Sequence, residues 1–282
     1  MERILALADF SNLAFRSHSR AGMSSYAMVR RVLLRTREVV RAIGATDLAF
    51  VFDPDPTPSI HWSGPAEEAR VPAARAILRS LGYPCYQDGI SADDLLIAAA
   101  RRAEEAGFTR VAVISHDRDL LAAVSAQTSL IRPETQGHLD IWDAARITRR
   151  FGVPAAAFAD LRVLGCRPFF GTTRAILDGK ASRRLLHLYG SLENIYLHLA
   201  EIEPERLRDH LAADEAFARS RLAGIRAIEA ASVLIDREGG HLGQPVAGPI
   251  DPGLWGLDRG GLLESSDEPR LALWGQRSPG VS

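Results

Sequence analysis

The chain has 282 residues, of which 46% are hydrophobic and 24% charged, and its formal net charge at pH 7 is −1. This composition predicts a globular protein of one domain with an appended lobe or of two small domains, and it excludes a uniformly basic nucleic-acid coat. We expect a cytoplasmic protein, because no apolar run is long enough to cross a bilayer, no secretory cleavage pattern is present, and Cys85 and Cys166 make neither a disulfide framework nor a zinc spacing.

Short apolar runs alternate with helical patterns along the first half of the chain. The runs at 4–8, 47–52 and 110–114 predict buried parallel strands, and 83–86 and 128–131 are further strand candidates. Helical periodicity spans about residues 24–43, 71–81 and 92–106. This alternation predicts an α/β fold with a parallel sheet.

The second half has a different character. From Trp142 the sequence turns helical, which predicts an α-helical lobe over about residues 148–230. Beyond Asp236 the chain is rich in glycine and proline, which predicts an extended or mobile tail.

Aspartates stand at strand ends or helix starts in four separate segments. Asp9, Asp53 and Asp117 follow the three strongest strand candidates, and ligands of parallel sheets collect outside the carboxyl ends of the strands. Asp119 lies two positions beyond Asp117, and the remaining acidic pair is Asp93 and Asp94 in "SADDLL".

Two interpretations of these aspartates are open. Helix capping explains each motif alone, with Ser91 as the cap before Asp93 and Asp94, and with Asp119 capping a helix through "LLAAVS". Capping does not explain why four segments share the pattern at one sheet edge. Carboxylates packed so closely destabilise the fold unless a cation lies among them, and oxygen-only ligands favour Mg²⁺ or Mn²⁺. Two such ions would suit in-line attack on a phosphodiester.

The order of motifs carries a family resemblance. The segments "LADFSNLAFR", "FVFD", "SADDLL", "ISHDRDLL", "RRFGVP" and "LLHLYGSLENI" together resemble the 5′ nuclease family, over roughly residues 4–236. That family includes flap endonucleases and the N-terminal nuclease domain of bacterial DNA polymerase I. The resemblance implies a PIN-like α/β core over 1–147, a helix–hairpin–helix lobe that grips duplex DNA over 148–235, and a tail over 236–282.

The resemblance also implies the metal ligands and catalytic residues. By position, the family's acidic motifs match Asp9, Asp53, Asp93, Asp94, Asp117 and Asp119, which make up most of one metal site and the shared part of a second. The family binds two divalent ions. Here Ser91 replaces a glutamate, while Cys166 and Phe169 or Phe170 stand where second-site carboxylates belong, and Arg167 adds positive charge nearby. We therefore expect one well-formed Mg²⁺ or Mn²⁺ site.

The DNA-contacting parts are reduced as well. In the shortened arch segment, Arg70 is the remnant of the family's basic residues. In the hairpin motif, Ile176 and Asp178 replace both turn glycines, and Gly179 lies one position later. The residues expected to contact the DNA backbone are Arg70, Lys180, Arg183 and Arg184.

Three hypotheses of function follow. The first is a metal-dependent 5′-3′ exonuclease or flap endonuclease with weakened or altered activity on DNA. The second is a degenerate member that binds branched or flapped DNA without efficient cleavage. The third is a PIN-like interaction module that uses the tail with Trp255 and Trp274, although tail tryptophans more often dock on their own domain.

Two lesser candidates have ordinary alternatives. His116 lies beside the acidic residues and is either a proton carrier or a solvated loop histidine. The basic helix pattern from Arg30 to Arg41 is either a solvent face or a DNA-backbone contact.

Overall fold

The protein is described by a computed structural model that covers residues 2–15, 24–54, 70–87, 91–134, 138–165 and 176–230. Several predictions concern residues outside these ranges. They are the tail over 236–282 with Trp255 and Trp274, most of the arch segment, and the altered second-site positions Cys166, Arg167, Phe169 and Phe170.

A single six-stranded sheet lies at the centre of the described fold, in the order β3–β2–β1–β4–β5–β6. Strands β1 to β5 pair in parallel, and β6 pairs antiparallel with β5 at the edge. The predicted mixed α/β class with a mostly parallel sheet is confirmed. The strand bounds are β1 Ile4–Asp9, β2 Asp47–Val51, β3 Cys85–Tyr86, β4 Arg110–Ile114, β5 Thr128–Pro133 and β6 Leu139–Trp142.

Two parts of the sheet differ from the sequence prediction. Strand β3 contains only Cys85 and Tyr86 of the predicted 83–86, since Pro84 has no N–H to donate to the ladder. Strand β6 was not predicted, and Trp142 ends it rather than beginning the helical half. Its residues are mostly half-buried or exposed, so the strand lacks the apolar run that marks the central strands.

Helices cover both faces of the sheet. Their bounds are α1 Phe10–Phe15, α2 Ser25–Ile43, α3 Arg70–Ser80, α4 Ala92–Glu105, α5 Ala144–Phe151, α6 Phe158–Gly165, α7 Gly179–Tyr189, α8 Leu192–Leu197 and α9 Glu205–Ala230. Short 3₁₀ helices lie at Asp119–Ala123, Ala155–Ala157 and Leu199–Glu201. Helix α1 follows β1 directly and was not predicted, because six residues are too few to show a helical period.

Alternate residues of the central strands face two separate hydrophobic cores. Ala6 and Ala8 belong to the core formed with α1, α2 and α3, whereas Leu5 and Leu7 belong to the core formed with α4. The second core continues without interruption into the helical lobe, where its buried members include Phe158, Leu185, Leu192 and Leu211. The lobe is thus packed on one face of the sheet by shared apolar burial. The division between residues 147 and 148 stays a prediction.

Helices α6 and α7 approach each other closely. A Cβ atom placed on Gly165 would lie 2.1 Å from the Oγ atom of Ser182, so only glycine fits at this crossing. The Leu177 N–H donates to the Leu164 carbonyl at 2.8 Å, which joins the start of the second helix to the end of the first. Residues 166–175 between them lie outside the described ranges. The helix–hairpin–helix assignment therefore stays a prediction.

No helix within the described ranges is both long enough and apolar enough to span a membrane.

Candidate acidic site

The sheet topology brings three of the predicted aspartates to one edge. Strands β2, β1 and β4 are neighbours, with Asp9 opposite Val51 and Ala8 opposite Ile114. Asp9 is the last residue of β1, and Asp53 lies two residues beyond the end of β2. Asp117 lies three residues beyond the end of β4. The carboxyl ends of these parallel strands therefore deliver one aspartate each, as the sequence predicted.

Hydrogen bonds fix Asp9 between the loops that follow β1 and β4. Its carboxylate accepts from the Asn12 N–H at 3.0 Å and from the Ser115 hydroxyl at 2.8 Å. The Ser115 oxygen in turn accepts from the Asp117 N–H at 3.0 Å, and the Asn12 side chain accepts from the His116 N–H at 2.9 Å. Sequence reasoning did not select Asn12 or Ser115. In the sequence, only their positions could have indicated a role: Asn12 ends the segment "DFSN", and Ser115 directly precedes "HDRD".

Asp53 is joined to the start of α4. Its Oδ1 atom accepts from the Ala92 N–H at 3.0 Å, and its carbonyl accepts from the Gln87 amide at 2.8 Å. Ser91 caps the same helix by accepting from the Asp94 N–H at 3.2 Å. The predicted cap is confirmed. The link between Asp53 and Ala92 places the first turn of α4, with Asp93, at the edge of the sheet.

Asp117 organises the short 3₁₀ helix that begins at Asp119. The Asp117 Oδ1 atom accepts from the Asp119 N–H at 2.8 Å. The prediction that Asp119 caps this helix is wrong, because Asp119 lies inside the helix and Arg118 precedes it without a side-chain cap. The Asp119 carboxylate instead forms an ion pair with the Arg162 guanidinium from α6. Sequence reasoning also missed Arg162, whose role depends on contact between distant segments.

Five carboxyl groups interact electrostatically at this edge. The pKa of Asp93 is raised to about 9 from its ordinary 3.8, first by burial and then by the charges of Asp9, Asp117, Asp53 and Asp119. The same effect acts on Asp9, which is 3% exposed. Its pKa is raised to about 7, because burial and the charges of Asp53 and Asp117 outweigh the lowering effect of its hydrogen bonds.

Asp94 has different surroundings from Asp93. Burial raises its pKa, and the Ser91 hydroxyl lowers it. Its buried Oδ1 atom has no hydrogen-bond partner among the residues that the structure describes. Adjacent helical residues point about 100° apart, so the two side chains leave α4 in different directions. The structure brings Asp93 into the electrostatic group and does not bring Asp94 there. Its predicted role as a ligand stays a prediction.

This chain is similar in sequence and in fold to known proteins. It is 33% identical to a thermostable DNA polymerase I of Thermus thermophilus over 135 residues, which are 47% of the chain and 16% of that protein. It is 25% identical to DNA polymerase I of Bacillus caldotenax over 254 residues, or 80% of the chain and 28% of that protein. No protein-family model matches.

Solved structures of bacteriophage T5 nuclease superpose on most of the chain. The 5′-exonuclease with bound zinc has a TM-score of 0.65 at 15% identity, over 82% of this chain and 92% of the other. A flap endonuclease complex with DNA and metal ions also has a TM-score of 0.65, at 14% identity, over 86% and 97%. The chain is thus similar in sequence to bacterial DNA polymerase I and in fold to the T5 5′ nucleases. The matched regions span 16% and 28% of the length of the two polymerases named above.

The donor chemistry at this sheet edge suits a hard divalent cation, because all five neighbouring groups are carboxylates. The side chains are not arranged to coordinate such a cation. Within the described ranges, no three His, Cys, Asp or Glu side chains form a metal-binding group. Both facts are compatible, since charges act over longer distances than coordination bonds. The carboxylates are turned toward protein donors, namely Ser115 and Asn12 for Asp9, Ala92 for Asp53, and Arg162 for Asp119.

The N-terminus of α7 is capped by a carboxylate of the same chain. Asp178 caps α7, and its Oδ1 atom accepts from the N–H groups of Lys180 at 2.7 Å and Ala181 at 2.8 Å. These bonds lower the pKa of Asp178, so the group is a stable anion. Lys180, Arg183 and Arg184 are exposed at the start of α7. These three residues place exposed positive charge on one helix face, while the helix N-terminus is occupied by Asp178.

The remaining candidates have structural roles in this fold. Arg70 begins α3, where its carbonyl accepts from the Ser25 hydroxyl at 3.0 Å. Its buried Nη1 atom has no hydrogen-bond partner within the described ranges. In the basic helix α2, Arg35 donates to the Leu13 carbonyl at 3.2 Å, and burial lowers the pKa of Arg31. His116 is half-buried beside Asp117. Roles in DNA contact or proton transfer stay predictions for these residues.

Proposed function

We propose that this protein is a divalent-metal-dependent nuclease of the 5′ nuclease type that hydrolyses phosphodiesters in DNA, with activity weakened by the loss of ligands. The observation that carries the proposal is the mutual elevation of pKa among carboxyl groups from four chain segments, strongest at Asp93. A fold keeps such repulsion when a cation relieves it in the working state. The T5 nuclease structures, one with zinc and one with DNA and metal ions, support the same direction.

The residues that would hold Mg²⁺ or Mn²⁺ are those at the sheet edge: Asp9, Asp53, Asp93, Asp117 and Asp119. The chemistry that a bound ion supplies is Lewis-acid stabilisation of charge on the scissile phosphate. The Ser115 hydroxyl and the Asn12 N–H keep the Asp9 carboxylate in one orientation, and a bound ion would share its oxygens with these donors. Lys180, Arg183 and Arg184 would contact the DNA backbone through charge.

A second candidate function is binding of branched or flapped DNA without efficient cleavage. The pairing of Asp119 with Arg162 favours it, because one acidic group is already neutralised from within the protein. The capping role of Ser91 favours it too, since the family motif has a glutamate at that position and a hydroxyl occupied by a helix N–H cannot replace it. Both features weaken catalysis more than they weaken DNA binding.

The test is cleavage of a 5′-labelled flap substrate with Mn²⁺ and then Mg²⁺, beside an Asp117→Ala variant. Cleavage that requires the metal and is lost in the variant supports the nuclease proposal. Binding in a gel shift without cleavage in either metal would support the second candidate instead. Absence of both binding and cleavage would contradict both proposals.

A further inference from the structure

Asp53 accepts hydrogen bonds through both its main chain and its side chain. The Gln87 Nε2 atom donates to the Asp53 carbonyl at 2.8 Å, and the Ala92 N–H donates to the Asp53 Oδ1 atom at 3.0 Å. Ala92 is the first residue of α4, and Gln87 directly follows β3. Gln87 therefore fixes the backbone of Asp53, while the start of α4 fixes its carboxylate.

The backbone ladder gives Asp53 little support, because β3 has only two residues. The last backbone bond that the described residues form between β2 and β3 runs from the Phe52 N–H to the Tyr86 carbonyl, at 2.9 Å. The next residues along the two strands are Asp53 and Gln87, and the Gln87 side chain joins them. A side chain thus continues the pairing of the strands at the point where the acidic edge begins.

An arginine from α3 orients the Gln87 amide. The Arg75 guanidinium donates to the Gln87 Oε1 atom and lies over the Phe52 ring, 5.8 Å from its centroid. Because a guanidinium can only donate, the Gln87 oxygen faces Arg75 and its NH₂ group faces the Asp53 carbonyl. The amide is held from both sides, which limits how far the backbone of Asp53 can move.

We propose that Gln87 is a positioning residue for the acidic edge, which sets where the Asp53 carboxylate lies and, through Asp53, where the first turn of α4 lies. The inference rests on the proposed function, in which Asp53 and Asp93 take part in phosphodiester cleavage. Gln87 acts through Asp53 and not on DNA. Its loss is therefore expected to slow cleavage without weakening DNA binding, since misplacement by about 1 Å can slow catalysis about 100-fold.

The experiment compares three variants of the full chain with the wild type on a 5′-labelled flap substrate with Mn²⁺ at pH 8. Gln87→Met keeps the length of the side chain and removes the donor. Gln87→Glu keeps the shape and an acceptor for Arg75, but an ionised carboxylate has no hydrogen to donate to the Asp53 carbonyl. Gln127→Met is the matched control, because the Gln127 amide also donates to a backbone carbonyl, that of Phe108 at 3.4 Å, and precedes β5 at the opposite edge of the sheet.

Three quantities are measured: the single-turnover cleavage rate, the Kd for the same flap with EDTA, and hydrogen exchange of the Ala92 amide by NMR. We expect cleavage to fall about 10- to 100-fold in both Gln87 variants, while the Kd keeps its wild-type value. The Ala92 N–H should exchange several-fold faster in both, because its acceptor on Asp53 is no longer fixed. Gln127→Met should match the wild type in all three quantities.

Wild-type cleavage and wild-type Ala92 exchange in Gln87→Met would overturn the inference and leave the proposed function intact. Full activity of Gln87→Glu would also overturn it, since the donor would then be unnecessary. A parallel loss of cleavage and DNA affinity would overturn it as well, because that pattern indicates general damage.

Absence of cleavage by the wild type would contradict the proposed function. The exchange measurement then decides the inference by itself. Faster exchange of Ala92 in the Gln87 variants would uphold the positioning of Asp53, and unchanged exchange would overturn it.

Discussion

The pKa values of aspartates shift in opposite directions at the acidic edge of the sheet and at the turn before α7. At the edge, five carboxylates repel one another, and the pKa of Asp93 rises to about 9. At the turn, Asp178 is stabilised by two helix N–H groups, and its pKa falls. We expect the first region to gain stability from an added cation, whereas the helix N-terminus in the second already holds the Asp178 carboxylate. The two regions therefore call for opposite tests, the addition of a cation at the edge and the removal of an anion at the turn.

The largest effect is expected where the two helices of the lobe cross. Gly165→Ala should destabilise the protein by about 1–3 kcal/mol, because the new methyl group would overlap the Ser182 side chain. Urea unfolding measures the change. Gly179→Ala is the control, since its Cβ would have Arg183 Nη1 as its nearest neighbour, at 3.8 Å. Ser182→Gly should rescue Gly165→Ala. A double variant as unstable as the single one would show that the crossing is not the cause.

Ser115→Ala tests whether the acidic edge is held by its loop network. The change removes a donor to Asp9 and an acceptor for the Asp117 N–H, both at a fully buried position. We expect a loss of about 1–3 kcal/mol of unfolding free energy. Ser80→Ala, at an exposed serine that donates to the Ile77 carbonyl, should change stability by less than about 0.5 kcal/mol. Equal losses in both variants would rule out a special role for Ser115.

The raised pKa values predict how stability depends on pH without metal. The folded protein holds the Asp93 proton up to about pH 9, and an unfolded aspartate releases it near 3.8. Between these values the unfolded state binds fewer protons, so stability falls as pH rises, and the loss is complete above the folded pKa. We expect a decrease of at least about 1 kcal/mol, or about 2–4 °C in Tm, between pH 5 and pH 9.

Asp93→Asn should remove most of that decrease, since an amide does not titrate. Asp209→Asn, on the exposed surface of α9, should keep it. The measurement is thermal unfolding with EDTA at several pH values. A slope that is identical in the wild type and Asp93→Asn would mean that the carboxylates do not repel one another as the geometry indicates.

The smallest effect is expected at the turn before α7. Asp178→Asn keeps a side-chain acceptor for the helix cap and removes the negative charge. Duplex binding at low salt should strengthen several-fold, as measured by fluorescence anisotropy, and the gain should vanish at high salt. Lys180→Glu should act in the opposite direction. No change in either variant would place the DNA contact elsewhere.

Sequence predicted the sheet edge well because parallel strands have a simple signature. Apolar runs that end in Asp9, Asp53 and near Asp117 fix both the strands and the point where they meet. Strand β6 was missed because an edge strand with alternating exposure has no such run. Helix α1 was missed because its six residues are too few to show a helical period.

The site itself was predicted less completely. Asp93 and Asp94 look equivalent in sequence, and only the rotation of about 100° per helical residue separates them. Ser115 and Asn12 act through loops that meet only when β1 and β4 pair. The role of Arg162 could not be predicted, because the sequence does not show that this arginine is buried or that its partner is Asp119. The altered positions Cys166, Phe169 and Phe170 lie outside the described residues, and their effect on a second site remains a prediction.

The most direct test of the central claim is thermal unfolding of the full chain near pH 8, with EDTA and then with millimolar Mn²⁺ or Mg²⁺. If the acidic edge is a cation site, the metal will raise Tm in the wild type, and Asp117→Ala combined with Asp119→Ala will abolish the rise. An equal rise in the double variant, or no rise in the wild type, would contradict the assignment of these carboxylates to a divalent cation.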